Sequence, residues 1–304
     1  MFKLAFLTDP HLAPLPEPTV RELLSKRLFG YINWRLNRKA FHVREVLDAI
    51  TRDMLSHKPD HIAVGGDLVN LALPDEFVRA VDWLHTLGLP EQVSLTPGNH
   101  DAYVRTNPHA GLELWRAYMT SDVRQAKKLA PSDNGFPWVR RFGKVALIGL
   151  SSAVATPPFF ASGRLGQAQI NALVRILKEL RASDHFRVVM VHHPPLMAMS
   201  SKRRGLSDVS DLHAVLEEQG AELVLFGHRH FHSLSYLSTN SGADVPVLGG
   251  PSASAAHGAQ EELARYYLLH IGKKGNSWRC DMVSRGMKAP ESPIVEIDRK
   301  SLTG

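Results

Sequence analysis

One cysteine, Cys280, stands among 304 residues. An intrachain disulfide is therefore excluded, and so is a metal site built from clustered thiolates; any metal must be held by nitrogen and oxygen. No stretch approaches about 18 uncharged apolar residues, which argues against a transmembrane helix. The opening MFKLAFLTDPHL has only a short apolar run before Asp9 and no small-residue cleavage site, so it reads as a first strand and not as a signal peptide. With the lone cysteine, this makes the expected location cytoplasmic. There is no repeat, no low-complexity tract and no linker-like segment. At 44% hydrophobic and 22% charged residues the composition is that of a globular chain. We expect a single domain over about 1–285, followed by an irregular tail over 286–304 that carries Pro290 and Pro293.

The formal charge of +6 is confined to one place. Residues 21–44 hold Arg21, Lys26, Arg27, Arg35, Arg38, Lys39 and Arg44 against Glu22, so the remainder is neutral overall. A near-neutral remainder offers no broad surface for tracking nucleic-acid phosphates. The basic stretch interleaves its cations with Leu23, Leu24, Leu28, Phe29, Tyr31, Ile32, Trp34, Leu36 and Phe41. It reads as an amphipathic insertion over about 20–44 whose apolar side packs on a sheet. The alternative is an interfacial helix drawn to anionic lipid, which would put the protein at the inner face of the membrane.

Short apolar runs recur at 3–9, 60–67, 91–99, 144–152, 186–193 and 221–228, with helical patterns at 41–57, 75–87, 166–182 and 208–219. Continuous apolar runs of this length suit strands covered on both faces. Ser207 and Asp208 are capping candidates for the last helix. Further strands are expected at 245–250, 265–272 and 277–283, giving an α/β layered sandwich with a second sheet antiparallel in part.

Five strands end in polar side chains of one kind: Asp9 and His11, Asp67, Asn99, His192 and His193, and His228 and His230. Each alone has an ordinary explanation, as a turn, a helix cap or a packed histidine. Together they point to one cause, because ligands of open α/β sheets bind at the carboxyl ends of strands. The inventory fits two divalent cations. Asp67, after a central strand with small neighbours, is the natural bridging carboxylate; one ion would take Asp9, His11 and His230, the other Asn99, His192 and His228. Mixed imidazole and carboxylate ligands suit manganese, iron, cobalt, nickel or zinc and not calcium or magnesium.

The ordered motifs DPH, GGD, GNHD, HHPP and GHRH resemble those of the calcineurin-like metallophosphoesterases over roughly residues 1–250. In motif form they are most similar to the bacterial cyclic-nucleotide and glycerophosphodiester phosphodiesterases. The resemblance implies a four-layer αββα sandwich of two mixed β-sheets flanked by helices, with two metals about 3.5 Å apart. It selects His192 as the coordinating member of its pair and leaves His193 behind it. It also implies that His100 faces the phosphoryl oxygens and that Asp101 orients His100.

On that reading two cations lower the pKa of a bridging water and clamp the phosphoryl group, while a protonated His100 stabilises the transition state or the leaving alkoxide. The substrate expected is a small phosphodiester, such as a cyclic nucleotide. A lipid or nucleotide-lipid phosphoester at a membrane surface is the alternative; a non-catalytic scaffold is a third class, disfavoured because every expected ligand is present. Specificity lives in surrounding loops. The candidates there are Arg229 within GHRH, Arg203 and Arg204 in the basic loop 200–205, His257 after the glycine-rich run, and the insertion 102–136.

Overall fold

The computed structural model describes residues 1–122, 135–257 and 262–303. Two six-stranded mixed sheets lie face to face with helices on both outer sides. The first sheet contains β1 (Phe2–Leu7), β2 (His61–Val64), β3 (Val93–Leu95), β10 (Arg265–Lys274), β11 (Ser277–Gly286) and β12 (Val295–Thr303), in the order β12-β11-β10-β1-β2-β3. The second contains β4 (Trp138–Phe142), β5 (Val145–Gly149), β6 (Phe186–Met190), β7 (Leu223–Phe226), β8 (Ser233–Ser238) and β9 (Asp244–Gly249), in the order β4-β5-β6-β7-β9-β8. β1, β2 and β3 run parallel, as do β5, β6, β7 and β9. All the donor residues therefore leave the carboxyl ends of parallel strands.

Side-chain alternation divides the core. On β5, Val145 and Leu147 face the first sheet's Leu4, Phe6 and Val64 side, whereas Ala146 and Ile148 meet the helices. Those helices are α5 (Gln167–Ala182), with Ile170, Leu173, Ile176, Leu177 and Leu180 inward, and α6 (Val209–Gln219), with Leu212, Val215 and Leu216 inward. On the other outer face α3 (Arg44–Ser56) buries Leu47, Ile50 and Met54, and α4 (Pro74–Leu87) buries Phe77, Ala80, Trp83 and Leu84. Pro74 opens α4 with its φ already suited to a helix, and Gly88 ends it. Asp208 does precede α6, but its carboxylate accepts from Leu165 and Gly166 N–H groups and so ties down the start of α5 instead.

The tail is irregular only over 287–294, where Pro290 and Pro293 lie. β12 completes the edge of the first sheet, pairing antiparallel with β11, and its polar, charged face is what an edge strand presents to water.

The basic insertion folds as α1 (Val20–Leu23), α2 (Arg27–Asn33) and a π-helical turn over Trp34–Arg38. Thr19 and Glu22 form a capping box. The inward side of α2 is held by polar contacts: Arg27 donates to the Leu71 carbonyl at 3.0 Å, and Lys26 donates to Thr156 Oγ1 at 2.8 Å. Gly30 allows close approach, since a Cβ there would stand 2.6 Å from a Leu71 methyl and crowd the Tyr103 hydroxyl. The expected packing of the apolar side is met only in part, with Trp34 and Tyr31 against Leu15, Leu71 and Leu73. Trp34 is buried, but Leu24 is 81% and Leu36 76% exposed, with Leu28, Phe29 and Ile32 also open to solvent. Among the described residues no helix is long and apolar enough to cross a membrane.

Candidate metal centre

The donor residues sit on backbone that few side chains adopt. Asp9, His11, Asp67, His228 and His230 all have positive φ, between 37° and 69°. Each such residue costs about 1 kcal/mol or more, and strain of this kind persists where surrounding structure enforces it, commonly at functional sites. Close packing does the enforcing. A Cβ on Gly98 would lie 2.7 Å from His192 Cε1 and collide with the Asp67 carboxylate, so the break after Leu95 in LTPGNHD lets β3 hand its loop directly to Asp67 and His192.

The side chains converge on Asp67. Its Oδ2 lies 3.3 Å from His192 Nε2 and 3.9 Å from His11 Nε2. His11 Nε2 is 3.3 Å from His230 Nε2, which is 3.2 Å from Asp9 Oδ1. On the other side Asn99 Oδ1 lies 3.3 Å from His192 Nε2 and 2.7 Å from His228 Nδ1. Separations near 3 Å are those of donors sharing an ion held at about 2.1 Å. The histidines are turned for it: Nδ1 of His11 lies 3.2 Å from the Val69 carbonyl and Nδ1 of His192 lies 2.8 Å from that of Gly65. Each thereby donates its Nδ1–H and presents the Nε2 lone pair.

Charge makes the same demand. Asp9 and Asp67 are fully buried carboxylates. Against the effect of burial, Asp67 and Asp9 push the His192 imidazole up to about 10, so that its Nε2 lone pair takes a proton where a metal would otherwise bind, and that proton supplies the cation these carboxylates need. Transition-metal ions would satisfy them better, and the donor set fits such ions: Asp67, His192 and His228 form one compact group, and His11, Asp67 and His100 another.

Around this core the residues part company with expectation in three places. The Asp101 carboxylate makes no hydrogen bond to the ring of His100, its neighbour in the chain. Its carboxylate accepts from the backbone N–H groups of Asp67, Leu68, Val69 and Gly98 at 2.7–3.2 Å, stapling the Asp67 loop to the Gly98 loop. His100 is oriented by Asn70, whose carbonyl lies 2.6 Å from its Nδ1. Nor is His100 a standing cation. Burial and the Arg38 guanidinium push it down to about 4, leaving a neutral imidazole whose Nε2 accepts from Arg38 Nη1 at 2.9 Å. The positive charge at this position belongs to Arg38, whose Nη2 also lies 3.2 Å from His11 Nε2.

His193 lies behind the centre, with Nδ1 2.7 Å from Ser152 Oγ, Nε2 3.0 Å from the Ala161 carbonyl and its ring 4.4 Å from that of His228. The remaining substrate candidates stand at the surface. Arg229 is exposed and donates to the Met199 carbonyl; Arg203 and Arg204 are exposed, Arg203 with its guanidinium 6.0 Å from the Phe160 ring centre. His257 is exposed and belongs to none of the donor groups found among the described residues. Within the insertion 102–136, residues 123–134 lie outside the described residues, while Tyr103 stacks on His100 at 5.5 Å. Arg38, Asn70 and Tyr103 went unnoticed in the sequence; only the unexplained charge of residues 21–44 pointed toward Arg38.

The calcineurin-like phosphoesterase family model matches residues 2–232. The chain belongs to that family. Two relatives from Synechococcus strains, WH7803 and ATCC 27144, are each described as a "Probable cyclic nucleotide phosphodiesterase". The first is 29% identical over 260 residues, spanning 83% of this chain and 82% of the relative; the second is 25% identical, spanning 77% and 80%. A dimetal phosphatase from Danio rerio shares the fold over 99% of this chain and 98% of its own, with a TM-score of 0.64 at 12% identity. A purple acid phosphatase from yellow lupin matches 99% of this chain with 53% of its own length, at a TM-score of 0.56 and 12% identity. Membership of this family makes the protein a metallophosphoesterase and implies divalent metal ions, which the Asp and His groups after the strands could hold.

Proposed function

We propose that the protein hydrolyses a phosphodiester, a cyclic nucleotide or another small diester, at a centre of two transition-metal ions. The observation that carries this reading is the convergence of Asp9, His11, Asn99, His192, His228 and His230 on the Asp67 carboxylate, in a chain akin to two proteins described as cyclic nucleotide phosphodiesterases. When bound, the ions would activate water and neutralise phosphoryl charge. Asp9, His11 and His230 would hold one ion, Asn99, His192 and His228 the other, with Asp67 shared. Arg38 would turn its paired N–H groups from His100 and His11 to the phosphoryl oxygens, since a guanidinium fits two such oxygens at once. His100, fixed by Asn70 and stacked on Tyr103, would hold Arg38 in place until substrate arrives. Asp101 would keep the two ligand loops in register. The test is a panel with added manganese: bis(p-nitrophenyl) phosphate, cyclic AMP, a glycerophosphodiester, p-nitrophenyl phosphate and a lipid phosphate. Turnover of the diesters above the monoester supports the reading, and turnover of the monoester alone removes it.

A second reading is favoured by the insertion's exposed apolar side. Phe29 lies 5.4 Å from Phe159, so the open side chains of α2 continue onto the 156–160 loop, beside Arg203. A surface that mixes bared Leu and Phe with Arg and Lys suits an anionic bilayer, and the ester cleaved there would be that of a lipid or nucleotide-lipid. Sedimentation with phosphatidylglycerol vesicles at low and high salt tests it; indifference to the vesicles removes it.

A further inference from the structure

His42 follows the inserted segment, immediately before Val43 caps α3, and is 2% exposed. Its Nδ1 lies 2.9 Å from Ser254 Oγ and 3.3 Å from Ser252 Oγ. Ser252 in turn donates to the Asp9 carbonyl at 2.6 Å. The main chain is fastened on both sides, Val43 N–H to the Ser254 carbonyl and Ala256 N–H to the Phe41 carbonyl, each at 2.9 Å. The 250–256 run, which leads to the substrate candidate His257, is buried and serves as the cradle of this imidazole.

The other ring nitrogen, Nε2, is buried without a hydrogen-bond partner among the described residues. Such groups are uncommon in folded proteins and call for a cause. The ring lies 4.4 Å from that of His11 and 5.7 Å from that of His230. Ring nitrogens of all three fall within 4.8 Å of one another. Packing would explain the burial of an imidazole but not this crowding of nitrogens, whose lone pairs repel unless a cation lies among them. Arg38 does not supply it to His42: it donates to His11 and His100 while His42 Nε2 stays unpaired.

We infer that His42 is an additional metal ligand, donating Nε2 to the ion held by Asp9, His11 and His230. Two hydroxyls behind Nδ1 fix the ring and its tautomer, as polar partners do for ligating histidines generally. The centre is then unequal, one ion having one more imidazole than the other, and the ligand comes from outside all five strand-end motifs. The inference rests on the metal half of the function proposed above and not on its substrate.

Cobalt(II) tests it, since its visible bands report coordination. Metal-free full-length protein is titrated with cobalt(II), followed by calorimetry and by absorbance. His42→Ala is expected to bind one of two equivalents at least about tenfold more weakly and to change the visible spectrum, with Ser254→Ala falling between it and the wild type. Unchanged affinity and spectrum in His42→Ala overturns the inference. Should His42→Ala fail to fold by circular dichroism, proton NMR of the cobalt-loaded wild type decides: His42 ring protons must show contact shifts like those of His11, and unshifted His42 protons overturn it. A wild type that binds no cobalt removes the metal reading together with this inference. One that binds two equivalents, with His42 needed for one, yet cleaves none of the esters removes only the proposed reaction.

Discussion

Arg38 Nη1 lies 2.9 Å from Nε2 of His100, which couples a residue of the basic insertion to one of the GNHD loop across 62 positions of sequence. Beside the two metal ions proposed above, a guanidinium would be repelled by both unless an anion lay between them, so on that reading Arg38 is a partner for substrate. Arg38→Ala should lower kcat/KM by about 10–100-fold, the range of a charge-assisted hydrogen bond or two, while metal content by elemental analysis stays at the wild-type value. Arg38→Lys should recover only part, because an ammonium cannot offer the planar pair of donors. Arg38 also helps hold His100 down at about 4. In metal-free Arg38→Gln the His100 pKa should therefore rise, read from the pH dependence of its ring-proton shifts; a fall or no change would show that the contact does not exist in solution.

Asp67 reaches both halves of the donor set, its Oδ2 3.9 Å from His11 Nε2 and 3.3 Å from His192 Nε2. Asp67→Asn keeps its shape and removes its charge. It should abolish diester hydrolysis and bring bound metal well below two equivalents, because no neighbouring side chain replaces a shared carboxylate. The same change should lower the His192 pKa in the metal-free protein, since Asp67 is the strongest influence raising it. Full turnover with two ions retained would contradict the assignment.

The Asp101 carboxylate holds loops and does not orient the His100 ring. Both of its oxygens are taken by N–H donors, Oδ1 by Leu68 and Val69, Oδ2 by Asp67 and Gly98. Asp101→Asn puts an NH2 where one oxygen accepts and leaves buried N–H groups unpaired, at about 1–3 kcal/mol each. Lower thermal stability of the metal-free protein and weaker metal binding are expected together. A variant with wild-type stability but shifted pH dependence of turnover would restore the role of orienting His100.

The strand-end donors were legible because buried parallel strands are apolar throughout, so Asp9, Asp67 or His192 at a strand's end stands out. The four principal helices were legible from their periodicity. β12 was not: an edge strand of Glu, Asp, Arg and Lys has no apolar pattern to read, and only its pairing with β11 makes it a strand. β4 and β8 were also missed. The insertion's apolar side was legible only in part, since Trp34 packs inward as expected, but alternation of cations and apolar residues is the same whether Leu28 and Phe29 face protein or water; the polar anchors of Lys26 and Arg27 decide it. His42 carried no signal, since a lone histidine in RKAFHV has no spacing to a partner and meets His11 only in three dimensions.

His61 ties stability to pH away from the metal centre. It lies on β2, 1% exposed, with Nε2 2.8 Å from Ser94 Oγ and its ring 4.2 Å from Phe142. Burial and the Arg140 guanidinium push it down to about 3 from an ordinary value of 6.5. The unfolded chain thus takes up a proton near pH 6.5 that the folded chain refuses until about 3, so the stability due to neutral His61 is complete above 6.5 and is lost as pH falls through that window. By pH 5 the loss from this one group is about 2 kcal/mol, at 1.36 kcal/mol per pH unit. His61→Phe should fill much of the same space without titrating. Its stability relative to wild type, from urea denaturation of the metal-free proteins, should improve by about that amount between pH 7 and pH 5; a difference that stays constant would mean that His61 is protonated in the folded chain or exposed to water.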